Sequence, residues 1–447
     1  MSQQLPDPQN QQSINSVNNG SDYVGGDKTT VSNIQNSEVV AIGRGAIAAK
    51  GNVTIYKGEA YPRLNYRIEI LELVKFYTQT FVGRRAEIPQ LIEFSAQKSP
   101  GYLLVEAVAG FGKSALMYQL LHLHETGSWK SHLKPYLLYF FIRQQGNRNT
   151  PVSFLQALNS QLLEILNLSG GVPNELSVLR NQFSELWSQA LLLANREQPL
   201  LLLVDGLDEM AVGGDVTIAD LLPSLTFYTH VIVTSRPNPE PLQLVSLEHS
   251  LKKAHILRLQ KFDQSDIKAL LQKYTNSVEI VANLSLRILE ITKGEPLFAR
   301  FVCQDVAAKG EPALSQLEKN PPADVEAYFQ EQLKQLASVS DEEGEIAWNI
   351  LGLLVVTLGG ITIEEMAEVL KENKRKVRKA IDLIQRFLLG DSQVTLMHLQ
   401  LRKVLTEEFS HRDQVENRQK LLDFCAYWQK HHSRYALAYY AQHLVEA

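Results

Sequence analysis

The stretch richest in chemistry runs Glu106-Ala-Val-Ala-Gly-Phe-Gly-Lys-Ser-Ala-Leu116. Glycines at 110 and 112 let backbone N–H groups close around phosphate oxygens without a Cβ in the way. The apolar run Tyr102-Leu-Leu-Val105 before them reads as a buried strand, and Leu116 to Leu121 after them reads as a helix whose N-terminus adds positive potential. Strand, glycine loop, Lys-Ser and helix form the P-loop pattern. Lys113 would reach the β- and γ-phosphates, and the Ser114 hydroxyl would ligate Mg²⁺. Ala109, Gly110, Phe111, Gly112, Lys113, Ser114 and Ala115 are therefore candidate nucleotide-binding residues. Ala107 stands where the first glycine of G-x-x-x-x-G-K-S usually falls, a position that accepts a small side chain.

Two further strand ends carry chemistry. Pro199-Leu-Leu-Leu-Leu-Val-Asp205 is an apolar run closing on an acid, followed by Gly-Leu-Asp208-Glu209. Ligands bind at the carboxyl edge of open parallel sheets, so Asp205 is a candidate to hold Mg²⁺. Asp208 and Glu209 are candidates to orient or deprotonate an attacking water. His230-Val-Ile-Val-Thr-Ser-Arg236-Pro237 ends another strand, and Arg236 there is a candidate sensor of the γ-phosphate.

These groups need a framework. The 447 residues, 45% hydrophobic and 21% charged, suffice for several globular domains. A net charge of −5 gives no global electrostatic case for nucleic acid or an anionic membrane. Two distant cysteines, Cys303 and Cys425, form no disulfide framework or metal spacing, which suits a reducing cytoplasm. The longest apolar run, Ile350 to Leu358, is too short to span a bilayer. Strands at 102–105, 136–142, 200–204 and 230–234 alternate with helical stretches at 61–77, 88–94, 151–166 and 175–194. This predicts an α/β domain on a parallel sheet, followed by helices at 297–308 and 324–338. Helices are expected at 346–358, 363–370 and 376–389, and a strand at 394–398.

The order Phe-Gly-Lys-Ser, strand–Asp-Gly-Leu-Asp-Glu, Val-Thr-Ser-Arg-Pro resembles a NACHT-type ATPase, a branch of the STAND signal-transduction class related to nucleotide-binding immune receptors. The resemblance covers roughly residues 78–445. It implies a P-loop NTPase domain at 60–250, a small helical domain at 251–338, a winged-helix domain at 339–410 and a C-terminal helical arm at 411–447. Val82, Gly83 and Arg84 would form an adenine-side turn. Pro296, in Gly294-Glu-Pro-Leu-Phe298, would pack near the base, and His398 would contact the β-phosphate of ADP. The family's behaviour implies an ATP/ADP- and Mg²⁺-dependent switch that hydrolyses ATP slowly. It would form a homo-oligomer on activation, under a trigger ligand and through an effector protein, in prokaryotic defence or regulated cell death. Two other readings compete with it: an AAA-like remodelling ATPase, and an ATP-dependent transcription regulator that uses the basic segment Lys371 to Lys379 on DNA. Acids at 364, 365, 368 and 372 make that segment a solvated face, so nucleic acid is not expected as a partner.

The first 59 residues stand apart. Residues 1–22 are Gln-, Asn- and Ser-rich and read as disordered. Residues 23–56 mix β-branched residues with glycine. Their Ala-Ile-Gly-x-Gly-Ala core resembles the β-roll repeats of trimeric autotransporter heads, which makes homotypic assembly one reading and a β-prone tail the other.

Overall fold

The computed structural model describes residues 28–30, 54–56 and 63–446, except 130–132, 213, 238–242, 244, 247, 340 and 391. Strands β1 (Lys28–Thr30) and β2 (Thr54–Tyr56) pair antiparallel, Lys28 opposite Tyr56. The remainder of the sequence readings for 1–59 lies outside the described residues.

Five parallel strands form the main sheet: β3 (Gly101–Glu106), β4 (Tyr136–Phe141), β5 (Leu200–Asp205), β6 (Thr229–Ser235) and β7 (His255–Arg258), in the order β4-β5-β6-β3-β7. Every residue of β5 and β6 is buried, as central parallel strands covered on both faces require. Helices Arg63–Gln79 and Lys113–Glu125 pack together, and Pro151–Ile165 packs on β4 and on Leu176–Leu193. Tyr77, Tyr118 and Phe141 stack in series, with ring centroids 4.9 and 4.1 Å apart, and tie the first of these helices to the sheet.

Four helices follow β7: Gln264–Leu271, Val278–Thr292, Pro296–Lys309 and Glu311–Lys319. The first starts on a capping box, Asp263 with Asp266. Helix Val325–Ala337 leads to Glu342–Val356, Ile363–Leu370 and Lys374–Ile384. Next come the antiparallel strands β8 (Leu388–Leu389) and β9 (Thr395–Leu396), then helix Leu399–Glu408. The expected helix through Leu389 stops at Ile384, because Leu388 and Leu389 pair with β9 instead. The hairpin turns at Gly390, where φ is 94° and a Cβ would collide with the Gln393 carbonyl. Helices His411–Ala426, Trp428–His431 and Arg434–Glu446 end the chain. Among the described residues no helix is long and apolar enough to cross a membrane.

Candidate functional site

The strand order decides what surrounds the glycine loop. β6 lies between β3 and β5, so the ends of all three strands meet at one edge of the sheet. Hydrogen bonds from Ala107 N–H to Ser235 O (3.2 Å) and from Leu259 N–H to Glu106 O (3.1 Å) bind the base of the loop to β6 and to the residue after β7. Gly110 and Gly112 take φ of 81° and 84°. A Cβ at Gly112 would meet nothing within 4 Å, so this side of the loop opens onto a cavity. The Lys113 ammonium donates to the carbonyls of Ala107 (2.6 Å) and Val108 (3.2 Å) and lines that cavity. Burial lowers its pKa.

The acids behind the loop have separate partners. Asp205 accepts from Thr234 Oγ1 (2.6 Å) and from the Ser114 hydroxyl; burial raises its pKa despite both bonds. Asp208 is held by Arg236 through both the backbone N–H (3.1 Å) and Nε (2.8 Å). Among the described residues Glu209 makes no such ion pair, although Arg143 and Arg236 lie near enough to act on it. Burial, with Asp205 close by, pushes its pKa up to about 7. The Asp-Glu pair is thus divided: one carboxylate anchors Arg236, and the other can exchange a proton at neutral pH.

Residues distant in sequence close the cavity. Thr80, Phe81, Val82, Phe262, Leu270 and Pro296 form an apolar wall. Gly83 has φ 74°, and a Cβ there would press on Asp266 at 3.0 Å. Arg84 also lines the cavity, but its guanidinium is engaged with Phe111 O (2.7 Å), Gln260 O (2.7 Å) and Glu87 (3.0 Å). Leu297 N–H, at the start of the helix opened by Pro296, donates to Gly110 O (3.1 Å). From the C-terminal region come Leu389, Leu396, Met397, His398, Leu399 and Arg402. His398 caps its helix, with Nδ1 accepting from Gln400 N–H at 3.1 Å, so the neutral ring carries its proton on Nε2. Burial, then the charges of Lys113, Arg236 and Arg300, push its pKa down to about 4. Ala109, Phe111 and Ala115 line the cavity as well.

Several cavity residues were not singled out in the sequence reading, among them three arginines and the glutamine that partners one of them. Arg143 donates to Tyr118 Oη (2.9 Å) at the end of β4. Gln145 donates its amide to Thr395 Oγ1 (3.2 Å) and accepts from Arg402 Nε (3.2 Å), joining the β4 loop to β9 and its helix. Arg300 and Arg402 are the others. Nothing adjacent in sequence marks them; only an arginine at a strand end, as at 143, offered a clue.

The site fits a nucleotide with Mg²⁺ on its own geometry. It has an open glycine cradle, a cation at the loop, a Ser114–Asp205 hydroxyl–carboxylate pair of the kind that ligates Mg²⁺, and an apolar wall on the far side. A phosphate-binding loop on a parallel sheet with an acid on the next strand but one defines a P-loop NTPase. Residues 102–277 match the family model of the NACHT domain. These residues therefore carry a NACHT domain. No curated protein sequence matches it. A STAND protein with a tetratricopeptide repeat sensor from Pyrococcus horikoshii shares the fold at TM-score 0.50 and 14% identity, over 82% of this chain and 48% of that one. This chain thus spans about half the length of that protein. Drosophila ORC bound to DNA aligns at TM-score 0.39 and 16% identity (75% and 91% of the two chains), and a Walker-type ATPase of Pyrococcus abyssi at 0.37 and 12% (73% and 96%).

His398 and Glu209 make a pH prediction for nucleotide-free protein in a chelator. Between pH 6.5 and 4 the unfolded chain binds a proton at His398 that the folded chain refuses, so stability falls with falling pH by about 2–3 kcal/mol. Glu209 acts the other way. Its folded pKa lies above the ordinary 4.5, so its contribution is complete at low pH and is lost as pH rises through about 7. The two nearly cancel in the wild type. His398→Gln should lose stability with rising pH over this window, and Glu209→Gln should gain it. Urea midpoints at half-unit pH steps decide, and equal slopes for all three proteins would refute the assignment.

Proposed function

We propose that the chain is a nucleotide-controlled switch in which bound ADP holds three segments together and exchange for ATP releases them. The observation that carries this reading is the single cavity lined from the glycine loop, from the helix opened by Pro296 and from the His398 segment. A ligand that touches all three can shift a conformational equilibrium by its differential affinity for the closed and open arrangements. We read these segments as the nucleotide domain (60–250), helical domain (251–338) and winged helix (339–410), with an arm at 411–447.

In this reading the backbone of 110–115 and Lys113 would hold the phosphates, and Ser114 and Asp205 would hold Mg²⁺. Val82, Gly83 and Pro296 bound the base, with Arg84 bracing the turn, and His398 Nε2–H donates to a phosphate oxygen. Mg²⁺ supplies neutralisation of phosphate charge. Glu209 accepts the proton of an attacking water and Arg236, steadied by Asp208, meets the terminal phosphate, so that slow hydrolysis resets the switch. Activation by a trigger ligand leads to a homo-oligomer that engages an effector, in the cytoplasm of a prokaryote under attack. The DNA-regulator reading is disfavoured because Lys374, Lys376 and Lys379 of the basic helix pair with Glu364, Glu342 and Glu343.

Denaturing the purified protein and identifying what is released tests the switch. Near-stoichiometric ADP is expected from the wild type, and at most about a tenth of that from His398→Gln after the same dialysis, since a charge-assisted hydrogen bond is worth about one decade or more. Nucleotide-free wild type would overturn the reading. Full retention by the variant would remove His398 from it.

A further inference from the structure

We infer that Arg300 is a phosphate-binding residue of the nucleotide site, contributed by the helix after Pro296; this rests on the nucleotide reading above. Leu297 and Arg300 stand three residues apart on helix Pro296–Lys309 and so share one face. That face touches the glycine loop: Leu297 N–H bonds to Gly110 O, and the Leu297 Cβ lies 3.2 Å from where a Gly110 Cβ would be. Arg300 therefore projects beside the loop, and it lines the cavity. Its guanidinium lies over the Phe76 ring, 4.9 Å from the centroid, which fixes its direction without using its hydrogens.

Among the described residues the side chain has no carboxylate partner. Arg300 makes no ion pair or hydrogen bond among the described residues, and its Nε is buried without an acceptor. A buried guanidinium donor left open is costly unless something fills it. Two other cations, Lys113 and Arg236, act with Arg300 on His398, so three positive groups converge where His398 stands neutral. Arg236 is already neutralised by Asp208. Lys113 has Asp205 and Glu209 nearby, whereas among the described residues Arg300 is left without a counter-charge; the diphosphate of a nucleotide beside the glycine loop supplies it, with several oxygens for its donors. Arg offers a planar fork for such oxygens where the Lys113 ammonium offers a point charge. Phosphate contact also gives the helix after Pro296 a direct hold on the ligand beyond its apolar contact with the base.

The test compares ADP and adenosine binding by calorimetry for nucleotide-stripped wild type, Arg300→Met, Arg300→Lys and Lys113→Ala. Arg300→Met is expected to weaken ADP about tenfold and leave adenosine within twofold. Arg300→Lys should recover a large part of the ADP loss, because it restores charge at the same place. Unchanged ADP affinity in Arg300→Met overturns the proposal, and so does an equal loss for ADP and adenosine, which would reduce Arg300 to a packing role over Phe76. Thermal melts identify any variant that fails to fold, and Arg300→Lys then carries the comparison: ADP loss with adenosine intact supports the proposal, and equal loss overturns it. Lys113→Ala separates the two levels. If it binds ADP like the wild type, the nucleotide reading itself fails; if it loses ADP while Arg300→Met does not, only the Arg300 assignment fails.

Discussion

Lys113→Ala is expected to lower ADP and ATP affinity at least 100-fold, about 2.7 kcal/mol, while thermal stability of the nucleotide-free protein changes little. The ammonium bonds to the base of the glycine loop, through the Ala107 and Val108 carbonyls. Burial lowers its pKa, so its charge is held in a medium where it acts strongly on a neighbouring phosphate. Replacement leaves those two carbonyls to water in an open cavity, a small structural loss, whereas the phosphates lose their closest counter-charge. Isothermal titration with ADP measures the change. A loss under tenfold would mean that the phosphates lie elsewhere.

Arg386→Met should destabilise the protein by about 3 kcal/mol through a network that does not line the cavity. Arg386 donates to Asp305 Oδ1 (2.5 Å) and Tyr328 Oη (2.6 Å), and Tyr328 in turn donates to Asp305 Oδ2 (2.5 Å). The guanidinium also lies 4.9 Å from the Phe301 ring centroid. This network joins helices Pro296–Lys309 and Val325–Ala337 to the turn before β8, and Asp305 is 5% exposed. Removing the arginine strands a buried carboxylate, which is the expensive way to break an ion pair. The double variant Arg386→Met/Asp305→Asn should recover at least half of the loss, because the stranded charge is gone. By contrast Lys403→Met, which breaks an exposed pair with Glu326, should leave the urea midpoint almost unchanged. Urea midpoints compare the three. A loss for Arg386→Met as small as that for Lys403→Met would show that the network contributes nothing to holding these segments.

Local chemistry was legible wherever the acting residues are neighbours in sequence. Gly110, Gly112, Lys113 and Ser114 announce a phosphate cradle because the turn, the donors and the charge lie within a few residues. The strands appeared as apolar runs because β5 and β6 are buried on both faces. Of the lysines in the basic helix, Lys374 lies against Glu364, one of the acids named from the sequence, whereas Lys376 and Lys379 lie against Glu342 and Glu343 of an earlier helix. The boundary that failed, the helix expected through Leu389, failed because Leu388 and Leu389 suit a helix or a strand equally, and a partner strand with a glycine turn chose between them.

By itself, then, the sequence determined that a phosphate loop, an acid-ended strand and an Arg-ended strand exist, and in what order. Tertiary structure decided that β6 separates β3 from β5, so that Thr234 holds Asp205 and Arg236 holds Asp208. It decided that Glu209 keeps a raised pKa while Asp208 is tied to Arg236, a difference of packing between adjacent carboxylates of almost the same chemistry. It also brought Gln145, Arg300 and Arg402, which carry no local pattern, to the cavity beside Arg143. Their placement depends on contacts across long loops, such as Leu297 to Gly110 and Gly146 N–H to Leu358 O (2.6 Å). Such contacts depend on how separate elements pack, and residue spacing along the chain does not encode that.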